Sequence, residues 1–186
     1  MSEKKLTGIN VALVIAADQF RDEELFTPKA RLESEGARTV VASKSLSVSK
    51  GMLGGSATPD VLIKDLAAMK PDAIVVVGGM GSPEHLWHDT DLHALLRQSL
   101  EEGKVVASIC LSGAVLANAG VLQGKKATVW EMPESVKALA DGGATLVSEP
   151  VVRDGRIITA NGPEAAGDFA EAIVNQLCGV KSGVNK

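Results

Sequence analysis

Cys110 closes the run Lys104-Val105-Val106-Ala107-Ser108-Ile109 and opens Leu111-Ser112-Gly113-Ala114-Val115-Leu116. Past Lys104 the first run is short, apolar and β-branched, the pattern of a strand covered on both faces; the second has the small residues of a tightly packed helix start. A thiol at that corner meets the free N–H groups and positive dipole end of the helix, which favour thiolate. The chemistry this suggests is nucleophilic attack, with the N–H of Leu111 facing the oxyanion that forms. Ser108 and Ser112, two residues to either side, are small enough for a crowded strand-to-helix elbow. The competing reading is a small core cysteine, because free Cys is among the most buried residue types.

Three further groups carry chemical potential. Asp22, Glu23 and Glu24 cluster where Asp18-Gln19-Phe20-Arg21 leads into a helix; complementing the helix dipole accounts for most such acids, and one of them is available for other work. Gly78-Gly79 follows the apolar run Ala73-Ile74-Val75-Val76-Val77, and glycines at the carboxyl end of a parallel strand let backbone N–H groups approach a ligand. The spacing is neither a Walker nor a dinucleotide fingerprint, and a plain tight turn is the alternative. All three histidines, His85, His88 and His93, come next. His85 and His88 would need to face one way to bind metal, and no motif places a carboxylate or thiolate with them, so they read as surface residues and no metal site is expected.

The elements that must position these groups alternate. Strands are expected over 9–17, 38–43, 72–77, 104–109, 127–130, 145–147 and 151–160, the last bent by Asp154-Gly155 into a hairpin. Helices are expected from the acidic loop to Gly36, over 65–69, up to Glu102 with Asp89 or Thr90 as cap, over 112–118, over 134–140 and over 165–177. The last carries Phe169, Ile173, Val174 and Leu177 on one stripe, with Cys178 buried at its end. The Gly- and Ser-rich stretch 45–56 reads as a hairpin excursion and not as a linker. The expected whole is one domain over 1–186, frayed at 1–8 and 180–186: a flavodoxin-like α/β three-layer sandwich, mainly parallel, with its site at the carboxyl edge of the sheet.

Composition agrees. The chain has 186 residues, no Tyr and 3% aromatics, so its core is Val, Ile, Leu and Ala, as close-packed parallel sheets require. A net charge of -4 without basic clusters argues against nucleic-acid or membrane partners. No run suits a membrane span or a signal peptide, and two cysteines form no disulfide framework, so a cytoplasmic location is the expectation.

Phe20-Arg21-Asp22-Glu23-Glu24-Leu25 through Pro28, then Val77-Gly78-Gly79, Ala107-Ser108-Ile109-Cys110-x-x-Gly113 and Ala119-Gly120-Val121-Leu122-x-Gly124-Lys125 resemble the DJ-1/PfpI family in order and spacing, over nearly the whole chain. The resemblance implies Cys110 as nucleophile, Glu24 as the acid beside it, and the backbone N–H groups of Gly79 and Leu111 as an oxyanion hole. Desolvation and a neighbouring thiolate would raise the pKa of Glu24 and fit it to general acid/base work. Gly78, His85, His88, Trp130 and Asn161 are the candidate lining residues. PfpI-like relatives commonly carry His directly after the nucleophile; here Leu111 stands there, so a Cys-His protease lacks its base. Trp130-Glu131 stands where the DJ-1 branch usually has a later His, and the available substitute is His85 or His88, from the Gly79 loop or from a partner subunit.

The resemblance therefore implies a cofactor-independent cysteine enzyme acting on small reactive aldehydes or their adducts, of glyoxalase or deglycase type. The alternatives are a non-catalytic oxidative-stress or redox sensor working through Cys110 oxidation, and a hydrolase or hydratase of another C–N substrate. A small-molecule carbonyl substrate is expected, as is a homo-oligomer.

Overall fold

The computed structural model describes residues 4–183, with side chains through residue 179. Seven strands form the central sheet: β1 (Asn10–Val14), β2 (Arg38–Ser43), β3 (Val61–Leu62), β4 (Ala73–Val76), β5 (Val105–Ile109), β6 (Val151–Asp154) and β7 (Ile157–Ala160), in the order β6-β7-β5-β4-β1-β2-β3. All neighbours run parallel except β6 and β7, which form the hairpin expected at Asp154-Gly155. The helices that concern the site are α1 (Asp22–Ser34), α2 (Thr90–Glu101), α3 (Gly113–Asn118), α4 (Pro133–Asp141) and α5 (Ala166–Gly183).

Strand periodicity divides the core in two. Val11, Leu13, Val75 and Ala107 point to one face, where Leu25 and Leu32 of α1 and Phe169 and Ile173 of α5 cover them. Ala12, Val14, Ile74 and Val106 point to the other, under Leu92 and Leu96 of α2, Val115 and Leu116 of α3 and Leu139 of α4. Each Leu or Phe buried this way contributes about 1.5–3 kcal/mol, and together they fix the strand ends from which the site is built. The cap of α2 is Asp89, whose Oδ1 accepts from Leu92 N at 2.8 Å. No helix among the described residues is long and apolar enough to cross a membrane.

Several expectations need correcting. Residues 1–3 and 184–186 lie outside the described residues, but Leu6 is not frayed: its side chain is fully buried and its N–H bonds Glu35 O at 2.8 Å. The last helix likewise continues to Gly183. The strand expected over 127–130 ends at Ala127, because Lys126–Ala127 pairs with Thr145–Leu146 in a separate small sheet while Thr128 N turns to the Thr159 hydroxyl. Cys178 is half-buried against the α1/α5 face rather than enclosed. The excursion at 45–56 does form a hairpin, Ser49–Lys50 against Ser56–Ala57.

Candidate active site

The carboxyl ends of β1, β4 and β5 lie side by side, and the loops leaving them converge. Ile109 is extended at φ -134°, then Cys110 enters the left-handed region at φ 59° before the chain closes a turn of 3-10 helix over Cys110–Ser112 and continues into α3. A non-glycine residue held there stores about 1–3 kcal/mol of strain, and the surrounding packing must impose it. Leu111 O is tied by Trp87 Nε1 at 2.9 Å. Behind the elbow, the buried Ser82 hydroxyl donates to Ser112 Oγ at 2.7 Å, and Ser112 Oγ donates to Val77 O at 2.7 Å. This serine brace joins the cysteine turn to the strand end before Gly78. Sequence reasoning took Ser112 only as small and overlooked Ser82.

Each acid of the α1 entrance has a separate task. Asp22 accepts from Leu53 N at 2.8 Å and Gly55 N at 2.7 Å, clasping the tip of the hairpin rather than capping the helix. Asp22→Ala is expected to cost about 2 kcal/mol through two lost charge-assisted bonds and to speed amide exchange at Leu53 and Gly55 selectively. Glu23 forks Arg21, with Nε to Oε2 at 2.9 Å and Nη2 to Oε1 at 3.1 Å. Glu24 is fully buried: Oε2 accepts from Gly78 N at 2.9 Å, whereas Oε1 has no hydrogen-bond partner among the described residues.

Gly78 brings acid and thiol together. A Cβ at that position would lie 2.5 Å from Glu24 Oε2 and 2.7 Å from Cys110 Cβ, so both side chains press on the space that the missing side chain leaves. Gly79, at φ 111°, carries the loop across the backbone of Phe20 and Arg21, and Arg21 N bonds Gly78 O at 3.0 Å.

The electrostatics follow from burial. Desolvation raises the Glu24 carboxyl to about 8, against the opposing hydrogen bonds from Cys110 and Gly78 and the charge of Arg21, so Glu24 keeps its proton at neutral pH. The Cys110 thiol is pushed up to about 12, first by burial and then by the charge of Glu24, while the N–H groups of Leu111 and Gly79 pull it down. The expected tilt toward free thiolate is thus corrected: the two N–H groups act on sulfur as anticipated, but the surrounding apolar wall outweighs them. The repulsive share from Glu24 exists only while Glu24 is ionised. A proton on Glu24 removes that share and turns the carboxyl into a donor toward sulfur, so the pair ionises as a unit that shares one proton.

Cys110 is 7% exposed and opens to a cleft of about 120 Å³ lined by Arg21, Met52, Gly79, Met80, Leu111, Trp130 and Pro163. Arg21, Trp130 and Pro163 also line an outer cleft of about 740 Å³ that takes in Asn161, Glu131 and Glu164. Trp130 and Asn161 therefore do line the approach, Trp130 resting its ring against Gly162 and bonding Cys110 O through its backbone N–H at 3.3 Å. His85 and His88 do not. The wall supplied by their loop ends at Met80, and by Ser82 the chain has turned into the core to meet Ser112, which leaves both histidines outside either cleft. His93 bonds Trp87 O at 3.0 Å, and burial lowers its pKa. Among the described residues no cluster of His, Cys, Asp or Glu could hold a metal ion.

A mainly parallel α/β sheet ending in a strained cysteine elbow, with a buried acid beside it, defines the class: a flavodoxin-like protein with a cysteine site. Residues 10–176 match the model of the DJ-1/PfpI family, and the chain belongs to that family. It is 42% identical over 174 residues to an uncharacterized protein of Methanocaldococcus jannaschii (94% of this chain, 85% of that one). It is 33% identical over 151 residues to a deglycase of Pyrococcus abyssi (81% of this chain, 89% of that one). Among solved structures, a ThiJ/PfpI domain protein from Brachyspira murdochii superposes with a TM-score of 0.86 at 36% identity, covering 92% of this chain and 97% of that one.

Proposed function

We propose that the protein is a cofactor-independent cysteine enzyme that converts small 2-oxoaldehydes, or their early adducts, to hydroxy acids. The observation that carries this reading is the buried Glu24 held against Cys110 by Gly78, at a cleft that Gly79 and Leu111 also line. It is supported by the family's deglycase-named members.

In the proposed reaction the Cys110 sulfur bonds to the aldehyde carbon, and the carbonyl electron pair moves to oxygen, where the N–H groups of Gly79 and Leu111 meet it and Glu24 supplies a proton. Glu24, now ionised, removes the hydrogen on that carbon, and the electron pair moves to the neighbouring carbonyl oxygen. Glu24 then returns the proton to the second carbon, while the hydroxyl proton passes between the two oxygens. The product is a thioester. Water displaces the sulfur, releasing a 2-hydroxy acid and restoring the thiol. No external oxidant or reductant is needed, since one carbon is oxidised as its neighbour is reduced.

The test is methylglyoxal consumption with lactate as the monitored product, for the wild type beside Cys110→Ala and Glu24→Gln. Turnover that disappears in Cys110→Ala and falls at least about 10²-fold in Glu24→Gln supports the assignment. A wild type that produces no lactate but takes up two oxygens at Cys110 from peroxide would replace it with the redox-sensor reading. Because the Cys110/Glu24 pair first ionises near 8, kcat/KM is expected to climb about tenfold per pH unit below that value and level off above it. A pH-independent kcat/KM between 6 and 8 would contradict the shared-proton mechanism.

A further inference from the structure

We propose that Arg21 is a substrate-binding catalytic residue that receives the negative oxygen on the carbon next to the one Cys110 attacks. The proposal rests on the aldehyde-enzyme reading and names the group that completes it: the substrate class is a 2-oxoaldehyde or another 2-oxo compound with an anionic oxygen at that position.

Three observations place Arg21 in this role. Among the described residues it is the one charged side chain lining the Cys110 cleft, and it lines the outer cleft as well. Its backbone is fixed on the Gly78-Gly79 turn, through Arg21 N to Gly78 O at 3.0 Å, so the side chain starts from the same support as Glu24 and Cys110. Finally, Glu23 engages Nε and Nη2 but leaves Nη1 with no hydrogen bond among the described residues. A fork held on one edge is pre-organised, so little rotamer entropy is lost when the other edge binds an oxygen.

The chemistry needs such a group. When the hydrogen leaves the attacked carbon, the electron pair arrives on the second oxygen, away from the N–H groups of Gly79 and Leu111, which serve the first. Relatives with a histidine after the nucleophile have a cation to offer; here Leu111 cannot supply one, and neither His85 nor His88 reaches the cleft. The carboxylates of Glu131 and Glu164 face the outer cleft only and leave the inner one to Arg21.

The test compares alkylation of Cys110 by iodoacetate, an anion, with iodoacetamide, its neutral counterpart, and measures methylglyoxal turnover on the same samples. Arg21→Gln is expected to lower the iodoacetate-to-iodoacetamide rate ratio about tenfold and kcat/KM about 10²-fold, mostly in kcat. Arg21→Lys retains the ratio and recovers part of kcat, because it keeps the charge and loses the fork. A ratio in Arg21→Gln equal to that of the wild type overturns the proposal. Should that variant not fold, Glu23→Gln, which frees the guanidinium of its counter-charge, must raise the ratio above wild type; an unchanged ratio there also overturns it. A normal ratio effect in a protein without methylglyoxal turnover keeps Arg21 as the anion-binding group and counts against the aldehyde reading alone.

Discussion

Replacing Glu24 with Gln is expected to yield a more stable protein that lacks the proposed methylglyoxal turnover. The carboxyl rises from 4.5 to about 8 in the folded chain, chiefly because burial penalises its charge. Between those values the unfolded chain releases this proton and the folded chain keeps it, so stability falls as pH rises from 4.5 through 8. The difference amounts to about 4 kcal/mol at pH 8 and vanishes below 4.5, where both states are protonated. Gln has the same shape, can accept from Gly78 N through its amide oxygen, and never ionises. Its melting temperature at pH 8 is expected to exceed that of wild type by about 10 °C, with the gap closing near pH 4.5. Thermal melts across that range check it; parallel pH dependences for the two proteins would show that Glu24 is not ionised on unfolding as proposed. The opposed effects of one substitution on stability and turnover are what a buried acid retained for chemistry should show.

How much of this site the sequence disclosed depends on the range of the interactions involved. Local signals were sufficient for the elbow, where an apolar β-branched strand runs into small helix-starting residues, and for Gly78-Gly79, where glycines end a buried strand. The same alternation gave the parallel sheet and its covering helices. Short or distant pairings were invisible: β3 is two residues long, and Leu6 docks on Glu35 from a stretch without periodicity. The thiol's environment was misjudged because a helix N-terminus is a local feature, whereas the apolar wall around Cys110 is assembled from loops far apart in the chain. Arg21 passed unremarked for a related reason. A charged residue ahead of an acidic helix start reads as solvated, and only the turn at Gly79 brings it over the cysteine cleft. For His85 and His88, loop membership offered a place at the cleft beside the surface reading, and the turn that starts at Ser82 takes them out of either cleft.

Gly78→Ala is expected to damage stability and activity together, and the comparison with Gly54→Ala separates the two causes. Gly78 lies outside the left-handed region of φ, so alanine meets no objection of that kind there. The cost is contact: the new Cβ would stand 2.5 Å from Glu24 Oε2 and 2.7 Å from both Cys110 Cβ and Ile109 O. Gly78 cannot shift to make room, because its N–H holds Glu24 and its carbonyl holds Arg21 N. The strand end or the acid must yield, at about 3 kcal/mol, and a displacement of even 1 Å between acid and thiol should lower kcat/KM about 10²-fold. Gly54 presents the opposite case, with φ at +93° and nothing within 4 Å of an added Cβ. Alanine there costs about 1–2 kcal/mol from backbone conformation alone and leaves kcat/KM near wild type. Chemical denaturation and turnover measured on both variants distinguish these mechanisms. If Gly78→Ala kept full activity, the acid and thiol could not depend on the gap that this glycine leaves, and the pairing from which the proposed chemistry starts would have to be abandoned.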